Sequence, residues 1–122
     1  MIAIARAKAA SQGFQIEFHM MDAAFPQLPH EQFAVLVCRH LLWALPEPEQ
    51  VLHRWTKFLK RKGRLILIEG YWGTGSGLHA SEIVEMLPPS FTNVSVQNLS
   101  ANPNLWGKDV TDERYAIIAD LG

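Results

Sequence analysis

"FAVLVCRHLLWALPEPEQVLHRWTKFLKRKGRLILIEG", residues 33 to 70, places two apolar runs on either side of a segment with a different period. That contrast sets the fold class. Residues 33 to 38, FAVLVC, are continuously apolar and β-branched, the pattern of a strand covered on both faces, so a central place in a sheet is expected. From Pro48 to Lys62 the apolar Val51, Leu52, Trp55, Phe58 and Leu59 recur at helical spacing. Glu47 and Glu49 stand at the start of this segment and Lys57, Lys60, Arg61 and Lys62 at its end, each group complementing the helix dipole. Gly63 is expected to terminate the helix, and RLILIEG, residues 64 to 70, reads as a second strand.

Upstream, residues 1 to 12 are rich in Ala and read as a helix that Gly13 would end. FQIEFHM alternates Phe14, Ile16, Phe18 and Met20 with polar neighbours, the period-two signature of a strand, before the prolines of MDAAFPQLP forbid regular structure. Downstream, ASEIVEML forms a short helix stopped by Pro88 and Pro89, and TNVSVQNL and RYAIIADL are two late strands around an Asn-rich loop. This order predicts an α/β fold: a mostly parallel sheet with a C-terminal antiparallel hairpin and helices on both faces. Ligands of such sheets sit at the carboxyl ends of the strands, here Asp22, Cys38-Arg39-His40 and Glu69-Gly70.

Composition narrows the function classes. The chain has 122 residues, 48% hydrophobic and 19% charged, which suits a single globular domain with one core. A formal net charge of -1 gives no overall positive field for nucleic acid or anionic lipid, so neither is expected as a partner. No segment reaches the roughly 18 uninterrupted apolar residues of a membrane span, and the opening MIAIARAKAAS is broken by Arg6 and Lys8, unlike a secretion signal. The single cysteine, Cys38, lies in an apolar run and suits a reducing cytoplasm.

The stretches FHMMDAAFPQLP and residues 33 to 70 together resemble class I S-adenosylmethionine-dependent methyltransferases of the small-molecule type. Four features carry the resemblance in order: Asp22 followed by Ala23 after a strand, a strand ending in RHLLW, the helix LPEPEQVLHRWTKFL, and the turn and strand KRKGRLILIEG. They span about residues 1 to 70, and the last two strands suit the family's terminal hairpin. KRKGR lacks the proline that the family usually places before the glycine.

The family also begins with a strand, a glycine-rich loop and an acidic residue that holds the ribose, none of which is found here, so the chain resembles the back part of such an enzyme. The resemblance implies a partial Rossmann-like sheet, a single truncated domain over residues 1 to 122, transferase chemistry, S-adenosylmethionine as cofactor, weakly held or lost, and a small-molecule acceptor. A non-catalytic binding or assembly module derived from the same fold is the alternative.

The glycine-rich RLILIEGYWGTGSGLH, residues 64 to 79, has the ingredients of a phosphate-binding loop. A nucleotide loop would lead through a helix and strand to an acidic residue about 20 residues on. Here that distance reaches the strand before Asn98, so the loop is expected to line the acceptor side instead.

By resemblance, Asp22 would accept a hydrogen bond from the adenine amino group and Ala23 would pack on the base, although Asp22 also suits a turn cap before Pro26. Cys38, Arg39 and His40 would back the cofactor and acceptor. His40 is the candidate general base, with a structural histidine as the alternative. Trp43, Tyr71 and Trp72 are candidates for an aromatic wall around an apolar acceptor or a sulfonium, or else for core packing. The remaining histidines show no metal-ligand spacing, and no metal is expected. An apolar, β-branched strand without its family neighbour would leave a sticky edge, so a homodimer is expected through that edge or through an exchanged N-terminal segment.

Overall fold

The computed structural model describes residues 2 to 122. Met1, expected to begin the first helix, lies outside the described residues. The elements are α1 (Ile2–Ser11), β1 (Phe33–Arg39), α2 (Pro48–Thr56), β2 (Leu59–Tyr71), α3 (Ala80–Met86), β3 (Phe91–Asn98) and β4 (Glu113–Leu121), with short 3-10 turns at Leu42–Ala44 and Pro103–Leu105. The strands form a single sheet in the order β1-β2-β4-β3. β1 and β2 run parallel, as the α2 crossover requires, and β4 lies antiparallel to both β2 and β3. The α/β class and the terminal hairpin are as the sequence suggests, although the sheet holds one parallel pair among its three.

Alternation decides the two faces of the sheet. Leu65, Leu67 and Glu69 of β2 stand opposite Ala119, Ile117 and Tyr115 of β4, and all six are buried. Val51, Leu52 and Trp55 of α2 and Ile83 of α3 close the same core. The intervening positions form the second face, where Val35 and Val37 are 50% and 59% exposed and Ile66, Ile68 and Ile118 are half-buried. Helices were expected on both faces, but α1 buries no residue and does not cover this one.

Two expectations about β1 are corrected. Residues 14 to 20 form no strand, and Phe14, Ile16 and Met20 are 61%, 56% and 89% exposed. The alternating pattern supplies side chains but no neighbouring ladder, and an isolated strand keeps its backbone groups in water. β1 consequently lies at the sheet edge, with its expected central place unfilled on one side.

The helix over 48 to 62 is also shorter than its periodicity suggests. It ends at Thr56, whose hydroxyl donates back to the Leu52 carbonyl at 2.7 Å. The amides of Glu31, Gln32 and Phe33 then take the carbonyls of Lys57 and Phe58, so Leu59 enters the sheet. Lys60, Arg61 and Lys62 therefore do not end a helix. The register jumps from Phe33 opposite Leu59 to Val35 opposite Arg64, and the intervening residues form an irregular bulge in which these three cations are exposed. Lys62 there has φ 62°, and Gly63 is needed because an added Cβ would meet the Lys60 carbonyl oxygen at 2.8 Å.

Candidate functional site

The loop before β1 is pinned from beneath by α2. Asp22 Oδ1 accepts from the Ala24 amide at 2.9 Å, closing a tight turn, and Ala24 is buried. Trp55 Nε1 donates to the Ala23 carbonyl at 2.8 Å, and Arg54 Nε donates to the Ala24 carbonyl at 2.7 Å. The Arg54 guanidinium also lies 4.0 Å from the centre of the Phe25 ring. Adjacent helical positions thus hold the Asp22–Phe25 turn at a fixed height. Between this turn and β1 opens an apolar groove of about 340 Å³, lined by Ala23, Leu28, Leu36, Cys38, Trp55 and Phe58 among others. A larger groove of about 580 Å³, lined by His30, Lys57 and Arg61, opens beside the bulge at the amino ends of the parallel strands, opposite to where ligands of such sheets bind.

The turn after β1 is organised by Glu69, whose side chain is fully buried. Its Oε1 accepts from the Leu41 amide at 3.2 Å and the Leu42 amide at 2.8 Å, while the His40 amide donates to the Ile68 carbonyl at 2.8 Å. Glu69 Oε2 has no partner. Burial raises the Glu69 pKa, opposed by the backbone amides that its carboxylate accepts from. The same burial, with Glu69 nearby, pushes the Cys38 thiol up to about 11, so Cys38 stays protonated and serves as an apolar wall rather than a nucleophile.

His40 itself takes a left-handed φ of 54° and sits in an aromatic cluster. Its ring meets Trp72 edge-on at 4.9 Å and stacks against Trp106 at 5.8 Å. The Arg114 guanidinium lies 4.5 Å from the Trp106 ring centre and is held by Asp112 at 2.8 Å, and Arg39 approaches the same ring at 5.8 Å. His40 Nε2 is buried and has no partner. Burial, then Arg39 and Arg114, lower the His40 pKa, which favours the neutral imidazole over the imidazolium.

The expected aromatic wall divides. Trp72 joins His40, Tyr71 stacks on His79 at 3.9 Å, and Trp43 is 38% exposed. The glycine-rich segment folds back on its own strand, with the Trp72 amide donating to the Ser76 carbonyl at 2.7 Å and Tyr71 bridged to Gly77. Sequence reasoning did not single out Trp106 or Arg114, which reach His40 from a distant loop and from β4. Glu69 was noticed only as a strand end; its acidic side chain inside an apolar run was the available signal. Among the described residues no cluster of three His, Cys, Asp or Glu is placed to hold a metal ion, and no helix is long and apolar enough to cross a membrane.

A family model described as "Methyltransferase domain" matches residues 1 to 67. The chain belongs to this methyltransferase family. Solved structures agree on the fold. The [4+2]-cyclase SpnF superposes with a TM-score of 0.78 at 19% identity over 98% of this chain and 62% of its own. A SAM-dependent methyltransferase from Aquifex aeolicus gives 0.71 at 15% identity over 99% and 63%, and the trans-methyltransferase CalH in complex with SAH gives 0.74 at 15% over 98% and 40%. The methyltransferase domain described here thus spans less than two thirds of the length of each of these. No curated protein sequence matches it.

Proposed function

We propose that this methyltransferase-like domain forms the adenine side and the acceptor side of an S-adenosylmethionine site, for methyl transfer to a small-molecule acceptor. The observation that carries this is the Asp22–Ala23 turn, fastened to the last turn of α2 and facing an apolar groove that reaches Cys38 and Arg39 at the carboxyl end of β1. The residues fit this part of the cofactor. Ala24 occupies Oδ1 of Asp22, leaving Oδ2 to accept from an exocyclic amine, while Ala23, Leu36 and Cys38 offer an apolar bed for a flat base.

When bound, the cofactor supplies an electrophilic methyl group on a sulfonium, and alignment with the acceptor provides much of the rate. Glu69 fixes the turn that carries His40, and neutral His40 is the group that would take a proton from the acceptor. Trp72 and Trp106 beside it suit an apolar acceptor, since the Arg39 and Arg114 guanidiniums already lie over these rings. SpnF, a cyclase, has this fold as well, so the reaction rests on the site rather than the fold.

Calorimetric titration with S-adenosylmethionine and S-adenosylhomocysteine tests the reading. Binding of both is expected, and Asp22→Asn, which keeps the cap on Ala24, should weaken it by about tenfold through loss of a charge-assisted hydrogen bond. Absence of binding heat at millimolar ligand would instead leave a non-catalytic assembly module.

A further inference from the structure

We propose that the free edge of β1 is the contact through which two copies of this chain join, by antiparallel pairing of β1 with itself about a two-fold axis at Leu36. The His40 amide bonds Ile68, and the parallel register places Cys38 opposite Leu67, so the even-numbered residues direct their backbone groups towards β2. Of the odd-numbered residues, Val35, Val37 and Arg39 direct theirs to the open edge, whereas the Phe33 amide is turned inward to the Phe58 carbonyl.

Only an odd residue facing an odd residue lets two such edges pair. The register centred on Leu36 satisfies this and overlaps the whole strand, setting Phe33 against Arg39 and Val35 against Val37, with about four interchain hydrogen bonds from the two Val35–Val37 pairs.

Chemistry favours a second copy as the occupant. The edge is apolar apart from one charge, and in this register that charge, Arg39, faces the partner's Phe33 ring and lies diagonal to the exposed Glu31. Val35 meets Val37 on the uncovered face, extending the row formed with Ile66, Ile68 and Ile118 across both copies. On the other side the partner's Leu36 enters the apolar groove between Leu28, Trp55 and Phe58. The small Ala34 falls opposite Cys38, so the partner lies against Leu36 and Cys38, two of the residues that the cofactor reading gives to the base, and the two readings share one groove. Association is measured without the cofactor, so either reading can fail alone.

Sedimentation equilibrium and directed cross-linking of the full chain test the proposal. The wild type is expected at twice the chain mass of 13.8 kDa at micromolar concentration. Val37→Pro removes an amide bonded to nothing within the copy and should weaken association at least about tenfold, with circular dichroism reporting the retained fold.

Ala34→Cys places a thiol in a non-hydrogen-bonded pair with the partner's Cys38, at a separation a disulfide spans. Mild oxidation of that variant should yield a covalent dimer whose disulfide joins position 34 of one copy to Cys38 of the other, whereas Val94→Cys on the opposite edge strand should not. A chain monomeric at all accessible concentrations would overturn the proposal. So would a dimer indifferent to Val37→Pro, a dimer without the 34–38 link such as an exchange of residues 14 to 20 would give, or association only with a different polypeptide.

Discussion

Trp55→Ala is expected to destabilise the chain by about 3–5 kcal/mol, a large share of the roughly 5–15 kcal/mol that holds a typical domain folded. The indole is 5% exposed at the centre of the core, between α2 and the sheet, and its removal leaves a cavity that the surrounding Leu and Ile side chains cannot close. Trp55 also carries the hydrogen bond from Nε1 to the Ala23 carbonyl, so its loss frees the turn that holds Asp22. Trp55→Phe separates the two contributions: it keeps most of the packing, loses the bond, and should cost about 1–2 kcal/mol. Urea denaturation of the three proteins gives the comparison. A Trp55→Ala cost below about 1 kcal/mol would show that α2 is not the plate on which the sheet rests.

The second large effect lies at Glu69. Burial raises its folded-state pKa above the ordinary 4.5, so between that value and the folded pKa the native state binds more protons than the unfolded chain. Stability from this group is therefore fully present below about pH 4.5 and declines as pH rises through the folded value. Glu69→Gln retains an oxygen for the Leu41 and Leu42 amides but cannot ionise. The stability of wild type minus that of Glu69→Gln should accordingly fall as pH rises from about 4.5. Asp112 and Asp120, whose pKa values are lowered chiefly by Arg114 and Arg64, act in the opposite sense, but they are common to both proteins and cancel. Glu69→Leu leaves the Leu42 amide buried without an acceptor and should lie about 1–3 kcal/mol below Glu69→Gln at every pH. Denaturation curves from pH 4 to 8 decide the matter; a difference that grows with pH would mean that the backbone amides outweigh burial.

What could be read in the sequence was local. The apolar runs of β1 and β2, the helical spacing of Val51, Leu52 and Trp55, and each strand of the terminal hairpin declare themselves within a dozen residues, because side-chain period follows backbone geometry. What could not be read depended on neighbours. The alternation at 14 to 20 is a strand pattern, yet a strand exists only against another strand. FAVLVC has the composition of a sheet centre and lies at its edge for the same reason. The end of α2 was misplaced because Phe58 and Leu59 continue the helical period while the amides at 31 to 33 capture the carbonyls there. At the site, Cys38 and Arg39 end β1 with His40 just after it, whereas the Asp22–Ala23 turn follows no strand and is tied to the last turn of α2, and Trp106 and Arg114 reach His40 by tertiary folding alone.

The bulge at Lys60 to Gly63 gives the molecule a natural point of scission. A trypsin-like protease would meet three exposed basic residues there, and a cut after Arg61 would fall within β2, leaving Leu59 with β1 and the regular part of the strand from Arg64 on the other side. Whether the resulting halves, residues 1 to 61 and 62 to 122, stay together after the cut would report directly on how strongly β1 is held to the rest of the sheet.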